Sequence, residues 1–203
     1  MILFKYTKTG GAEFLAHLDI LRHIGKTMRR AGIKVGFSQG FNPHMLVYMS
    51  APMGIGVESL AEYCQVETDE SPESFIDKFN RFAPRGLRCV GAWKTNGKVG
   101  VASDIVKAEY LVSGVNKFDE NELLSREDFI ITKKDGTEKD VKELIYSVKW
   151  EGDKLRCIIG FGNGLRIEKF TDKLVELYGG GDTTAVKTRG LNKDGVDFED
   201  GIK

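Results

Sequence analysis

The chain has 203 residues, of which 41% are hydrophobic and 30% are charged, and its 30 basic residues balance 30 acidic ones. This composition is typical of a globular protein with a buried core and excludes disordered and fibrous classes. No apolar run approaches the roughly 20 residues that a membrane-spanning helix requires, and the start becomes charged at Lys5, too early for a signal peptide. We expect a cytoplasmic protein of two compact domains, with one large domain as the alternative.

The first half contains a repeated alternation of strand and helix patterns. Ile20, Ile24 and Met28 fall at helical spacing, Gly32 can end that helix, and Ser71 can cap a second helix. The predicted elements, in chain order, are a strand at 2–7, a helix at 17–31, strands at 46–49 and 62–67, a helix from 71 to 83, and a strand at 87–93. This β-α-β-β-α-β order is that of a ferredoxin-like sandwich.

A polar, turn-rich stretch at 96–100 separates the second half, which has a similar pattern. The predicted elements are a strand at 108–113, a short helix at 119–124, strands at 129–132, 141–150 and 155–160, and a helix at 168–178. The sequence therefore predicts an α+β fold of two ferredoxin-like sandwiches, with antiparallel sheets and helices on one face. We expect domains at 1–95 and 105–180 and a flexible tail at 181–203.

The three cysteines are widely separated, and each lies in an apolar stretch that alternates like a strand. They are Cys64, Cys89 and Cys157. We interpret them as buried thiols in a reducing compartment.

Charge is unevenly distributed along the first eighty residues. Residues 1–50 carry seven basic and two acidic side chains, a local charge of +5, whereas residues 51–80 carry seven acidic side chains against Lys78 alone. This asymmetry predicts surfaces of opposite sign, one of them suited to an anionic partner.

Four cations on the first predicted helix follow the spacing i, i+4, i+7, i+8, which places them on the face opposite the apolar stripe. They are Arg22, Lys26, Arg29 and Arg30. Such a row suits a phosphate backbone, because each neutralised phosphate releases counterions and arginine can bind phosphate oxygens with two hydrogen bonds. An ordinary solvated helix face is the alternative.

The loop at 36–44 combines two glycines, two aromatic residues, a proline and four polar side chains. The polar side chains, Ser38, Gln39, Asn42 and His44, offer donors and acceptors, while Phe37 or Phe41 could stack on a base. A rigid turn with buried aromatic residues is the alternative. Together with the four cations, we expect Ser38, Gln39, Phe41, Asn42 and His44 to form a nucleic-acid-binding site.

Three titratable residues of the first domain are candidate catalytic groups: His17, Asp19 and His44. Placed together, they could act as an acid/base group on a small anionic substrate. No metal site is predicted, because His17 and His23 are six residues apart and neither a His-x-x-x-His nor a Cys-x-x-Cys spacing occurs.

Five short segments between residues 14 and 63 carry a resemblance to a known family. They are Phe14-Leu15-Ala16-His17-Leu18-Asp19, Arg29-Arg30-Ala31-Gly32, Phe37-Ser38-Gln39-Gly40-Phe41-Asn42-Pro43-His44, Pro52-Met53-Gly54-Ile55-Gly56-Val57-Glu58-Ser59 and Glu62-Tyr63. In these segments the chain resembles the radical-SAM-linked proteins, a bacterial family of unknown function encoded beside, or fused behind, a radical-SAM protein with a cobalamin-type domain. Met45 stands where that family usually has a second proline.

The resemblance implies a radical-SAM partner that carries the iron–sulfur cluster, SAM and, with its cobalamin-type domain, cobalamin. This chain lacks the three-cysteine cluster motif, so no cofactor is expected in it. Three functions follow as hypotheses. The first is an accessory substrate-binding module that binds RNA or another polyanion. The others are a docking scaffold whose acidic segment 58–77 meets the radical-SAM protein, and an enzyme half-site that uses His17, Asp19 and His44.

Overall fold

The chain folds into two compact units in the computed structural model, which describes residues 1–133 and 135–202. Unit 1 contains Met1–Ile105 together with the C-terminal segment that begins at Val196, and unit 2 contains Val106–Gly195. Each unit combines an antiparallel sheet with α-helices, so the predicted α+β class is confirmed.

Unit 1 is built from four strands and two α-helices. In chain order they are β1 (Ile2–Lys8), α1 (His17–Arg30), β2 (Val47–Met49), β3 (Glu58–Val66), α2 (Pro72–Phe82) and β4 (Cys89–Lys94). The strands pair antiparallel in the spatial order β4-β1-β3-β2. The predicted elements of the first half are all present, and β3 begins four residues earlier than its apolar pattern indicated.

Both helices of unit 1 begin and end for the reasons that the sequence suggests. In α1 the side chains of Ile20, Ile24 and Met28 are buried, and Gly32 follows the helix with a left-handed φ of 67°. In α2 the Ser71 hydroxyl accepts a 3.2 Å hydrogen bond from the backbone N–H of Ser74. Within the described residues, no helix is both long enough and apolar enough to cross a membrane.

The sheet of unit 1 has a core on each face. On one face, Phe4 of β1 and Cys64 of β3 belong to the core that α1 and α2 cover. On the other face, Leu3 of β1 and Tyr63 of β3 pack against the segment around Val101. Because successive strand side chains point to opposite faces, this arrangement buries β1 and β3 on both sides.

Unit 2 repeats the alternation and adds one hairpin. In chain order its elements are β5 (Lys107–Val115), α3 (Glu120–Ser125), β6 (Ile130–Thr132), β7 (Glu138–Asp140), β8 (Ile145–Glu151), β9 (Lys154–Gly160), α4 (Ile167–Tyr178) and β10 (Gly180–Leu191). The main strands pair antiparallel in the order β10-β5-β9-β8, while β6 and β7 form a separate hairpin. The sequence pattern missed β7 because its three residues are all charged and exposed.

The C-terminal region differs from the flexible tail expected at 181–203. Strand β10 pairs along the whole of β5, from Gly180 opposite Val115 to Leu191 opposite Lys107. The backbone supplies these hydrogen bonds whatever the side chains are, so a glycine-rich and polar composition does not prevent a strand. Lys203 lies outside the described residues.

The chain end beyond β10 is also packed in unit 1. Phe198 is buried and meets the Tyr63 ring edge-on, with ring centroids 5.3 Å apart. The Glu199 carboxylate accepts a hydrogen bond from the Tyr63 hydroxyl and one of 2.7 Å from Lys5 Nζ. Burial and the hydrogen bond to Glu199 raise the pKa of Tyr63 above its usual value. These contacts hold the C-terminal segment on the sheet face away from α1 and α2.

The three cysteines are free and buried, as predicted. Burial raises the pKa of the Cys89 thiol to about 12, and it raises the pKa values of Cys64 and Cys157 above the usual range. Because the thiolate is the reactive form, these thiols are chemically inert in the folded protein.

Replacing Phe198 with alanine tests whether the C-terminal segment belongs to the folded core. We expect Phe198→Ala to lower the free energy of unfolding by about 3 kcal/mol, because it leaves a cavity against Tyr63. Guanidinium titration in a Trp150→Phe background, followed by Trp93 fluorescence, measures this change, since Trp93 packs against the same core. The exposed Val90→Ala is the control. Equal free energies of unfolding for Phe198→Ala and Val90→Ala would contradict the conclusion that the C-terminal segment belongs to the folded core.

Candidate nucleic-acid interface

A surface groove of about 350 Å³ lies in unit 1 between α1 and the chain that leads into β2. Its lining residues are Leu21, Arg22, Gly25, Lys26, Arg29, Pro43, His44, Met45 and Val47. The groove therefore joins one face of α1 to the end of the 36–44 loop, and three of the four predicted cations share it with His44.

The cations of the groove project from one side of α1. The helix rises about 1.5 Å per residue, so Lys26 lies about 6 Å along the axis from Arg22, and Arg29 about 4.5 Å beyond Lys26. Lys26 and Arg29 are exposed, and neither side chain forms an ion pair or hydrogen bond with the described residues. Their charges are therefore available to an anionic ligand.

Arg22 has a partner inside the protein. Its Nη1 atom lies 2.8 Å from Oδ1 of Asp19, three residues earlier on the same helix. Both side chains are largely exposed, and exposed pairs of this kind contribute little to stability. Asp19 therefore pairs with Arg22 at the groove. Because this ion pair is weak, a phosphate could take the place of the Asp19 carboxylate as the partner of Arg22.

Arg30 is exposed but does not line the groove. It lies with Arg29 in the last turn of α1, where positive charge is favoured by the helix dipole. The favourable interaction with the helix dipole explains a basic residue at position 30 without a ligand. Lys26 and Arg29 differ from Arg30 because they line the groove.

The loop at 36–46 is a hairpin held by backbone hydrogen bonds. The Leu46 N–H donates to the Gly36 carbonyl, and the Ser38 N–H donates to the His44 carbonyl, both at 2.9 Å. The Gly36 N–H in turn donates to the Glu67 carbonyl at 2.9 Å. The hairpin is thereby fixed to the chain that follows β3.

Ser38 and His44 also interact through their side chains. The Ser38 hydroxyl lies 2.8 Å from His44 Nδ1 and accepts a 3.0 Å hydrogen bond from the His44 backbone N–H. These bonds orient the imidazole ring, and its second nitrogen, Nε2, has no partner among the described residues. His44 can therefore offer Nε2 to a ligand in the groove.

The tip of the hairpin is exposed to solvent. Phe41 is fully exposed, and Phe37 is partly so, which contradicts the alternative of a turn with buried aromatic residues. Gln39 and Asn42 are exposed and form no hydrogen bonds within the described chain. None of these four side chains lines the groove, so the structure places them beside it, on the same hairpin as His44.

The proposed acid/base group is not assembled. Of His17, Asp19 and His44, only His44 lines the groove, and no hydrogen bond joins it to either of the others. Asp19 is paired with Arg22 instead. His17 opens α1, one turn before Leu21 at the end of the groove.

The acidic segment 58–77 is partly engaged within unit 1. Glu62 is buried and accepts hydrogen bonds from the hydroxyls of Ser50 and Ser59. Glu70 accepts from Lys78 and Ser74, and the hydrogen bond from Lys78 is the largest cause of its lowered pKa. A docking partner would meet only the remaining carboxylates.

The sequence analysis did not identify the apolar floor of the groove. Its members are the half-buried lining residues Leu21, Gly25, Met45 and Val47. A Cβ atom on Gly25 would lie 3.4 Å from Met45 Sδ, so the hairpin contacts the helix there. A glycine inside a strongly periodic helix was the available signal, because glycine disfavours helix interiors.

The chain is thus an antiparallel α+β protein with a groove bordered by basic side chains. The chain belongs to the family described as "Uncharacterized protein conserved in bacteria (DUF2344)", whose model matches residues 1–177. No curated protein matches the chain.

Two solved structures are similar to the chain at low sequence identity. They are "Structure of H/ACA RNP bound to a substrate RNA containing 2'-deoxyuridine" (11% identity, TM-score 0.45, 93% of this chain and 47% of that one) and "Crystal Structure of a Cbf5-Nop10-Gar1 Complex" (10%, 0.47, 93% and 48%). This chain spans about half the length of each.

Removing the Ser38 hydroxyl tests whether it orders the hairpin. We expect Ser38→Ala to speed hydrogen exchange of the His44 amide about fivefold, because a hydrogen bond of about 1 kcal/mol is lost. In Gln39→Ala, the exchange rate of the His44 amide measured by NMR should stay unchanged, since the Gln39 side chain makes no hydrogen bond. Identical exchange in both variants would show that backbone pairing alone holds the hairpin.

Proposed function

We propose that this chain is an accessory module that binds RNA, with the groove of unit 1 receiving the sugar-phosphate backbone. The observation that carries the proposal is that Lys26 and Arg29, which have no ionic partner among the described residues, share one groove with Arg22 and His44. The Lys26 side chain forms no ion pair or hydrogen bond with the described residues, and Arg29 gains only the helix-dipole interaction that it shares with Arg30. An anionic ligand would account for their convergence on one groove.

The arrangement suits phosphates better than a single small anion. The three cations are spread along about 10 Å of helix, so they can contact successive phosphates of one strand. Arginine can bind phosphate oxygens with two hydrogen bonds, and lysine adds a point charge. Because α1 is packed on the core through Ile24 and Met28, the backbone positions from which these side chains extend are fixed before binding.

The exposure of Phe41 favours RNA over other polyanions. A fully exposed phenylalanine gives up the burial that would stabilise the fold by about 2 kcal/mol. Exposed aromatic rings beside cationic grooves are how proteins stack on unpaired bases. Gln39 and Asn42 on the same hairpin offer amide groups to base edges.

We further propose that the module works with a radical-SAM partner in the cytoplasm. The resemblance of residues 14–63 to radical-SAM-linked proteins supports this partner, which would carry the iron–sulfur cluster, SAM and cobalamin. In this arrangement the present chain holds the substrate and the partner performs the chemistry.

We also infer that each unit is a ferredoxin-like sandwich. In both units the elements follow β-α-β-β-α-β, apart from the β6–β7 hairpin, and the first strand lies between the third and fourth. The exposed binding surface lies on α1 and its following hairpin rather than on the sheet.

The other two functions have less support from the site. An enzyme half-site requires His17 and Asp19 near His44, and neither shares the groove. A docking scaffold on the acidic segment loses Glu62 and Glu70 to internal hydrogen bonds.

Neutralising the unpaired cations tests the proposal. We expect Lys26→Ala/Arg29→Ala to weaken binding of a fluorescein-labelled oligouridine about tenfold or more, and to reduce the slope of log K against log salt by about 1 for each lost contact. Fluorescence anisotropy across a salt series measures both quantities.

Arg81→Ala/Arg85→Ala is the matched control, because it also removes two exposed cations that have no described partner and do not line the groove. The control should bind like the unaltered protein. Equal weakening in both variants would mean diffuse electrostatic attraction, and absence of binding by the unaltered protein would end the proposal.

A further inference from the structure

The groove has two chemically distinct parts. Its exposed rim carries Arg22, Lys26, Arg29 and His44, with Pro43, whereas its half-buried floor is formed by Leu21, Gly25, Met45 and Val47. A phosphate backbone needs the cations but gains nothing from an apolar floor. The ligand that fits both parts therefore has a flat apolar portion attached to an anionic one.

Gly25 is the residue that packing does not explain. It lies inside α1 with an ordinary helical backbone, where alanine would be more stable. A Cβ atom there would meet only Met45 Sδ, at 3.4 Å, which is ordinary van der Waals contact. A methyl group would therefore fit beside Met45, yet this position at the floor of the groove carries no side chain.

Other glycines of unit 1, in contrast, are required by the backbone. A Cβ atom on Gly86 would lie 1.7 Å from the Thr9 carbonyl oxygen, so that glycine is required by the backbone around it. Gly32 and Gly40 have positive φ angles of 67° and 123° and are required by their turns. Gly25 meets neither condition, and it lies inside a helix and lines the groove, which is why we interpret it as a residue that keeps space for a ligand.

From this we infer that the groove takes one unpaired nucleotide of a single-stranded RNA, with its base on the floor at Gly25 and Met45. The inference rests on the proposed function and narrows it. A volume of about 350 Å³ is at the lower end of ligand sites and suits a single nucleotide of the strand.

The surrounding groups complement such a nucleotide. The base packs over the side chains of Met45 and Leu21, while the phosphates on either side lie against the rim cations. His44, oriented by Ser38, presents Nε2 as a hydrogen-bonding group for the sugar or the base edge. Paired bases of a duplex are stacked inside the helix and cannot enter, so duplex RNA is excluded.

Filling the floor without changing charge tests the inference. Gly25→Leu should weaken binding of a short oligouridine about tenfold, which is the loss of one base contact, and should leave heparin binding unchanged. The unaltered protein should also bind the single strand about tenfold more tightly than the same strand annealed to oligoadenosine. Fluorescence anisotropy for the RNA probes and competition for heparin measure these affinities.

Two further variants make the result interpretable. Gly25→Ala should raise the melting temperature while weakening oligouridine binding, a combination that a purely structural glycine would not give. His23→Leu places a leucine on α1 away from the groove lining and should bind normally.

The outcomes separate the two proposals. If Gly25→Leu binds oligouridine as tightly as the unaltered protein, or if duplex binds equally well, the nucleotide inference is wrong while the cationic interface stands. If Lys26→Ala/Arg29→Ala also leaves oligouridine affinity unchanged, both the nucleotide inference and the proposed RNA-binding function are wrong. Circular dichroism of each variant confirms that it is folded.

Discussion

The proposed binding surface depends on the contact between one hairpin and one helix. Three backbone hydrogen bonds tie residues 36–46 to one another and to Glu67, and Met45 then lies directly over Gly25 of α1. Without this contact the cations of α1 would be an ordinary solvated helix face. With it, they border a groove that has an apolar floor and a histidine on the opposite side.

The rigidity of that groove comes from the core beneath it. Ile24 and Met28 fix α1 on the sheet, and Val47 continues directly from the groove floor into β2, which pairs with β3. The opposite face of the sheet is closed by Trp93, Val101 and Phe198. A sheet that is buried on both faces leaves its ligand-binding capacity to the helix surface and the loop.

Local patterns predicted the parts of the structure that depend on neighbours in sequence. Helical spacing gave the buried stripe of α1 and the cationic face opposite it, and Ser71 gave the start of α2. The strand at 180–191 was missed because its pairing with β5 is not encoded in its own apolar pattern. The groove floor was missed for a similar reason, since Met45 and Gly25 are twenty residues apart and meet only in the fold.

The residues that line the groove are only in part the acid/base candidates predicted from the sequence. His44 lies in the groove, whereas Asp19 is engaged with Arg22 and His17 lies outside the lining. Residue types alone therefore do not separate the side chains that line the groove from those that pair within the helix, because that distinction depends on the fold.

Chemical-shift mapping tests the central claim most directly. In a titration of the isotopically labelled chain with a short oligouridine, we expect the largest changes at Gly25, Lys26, Arg29 and His44, with Phe41 also shifted. Changes confined to unit 2 or to the region of Arg81 would show that the groove is not the binding surface.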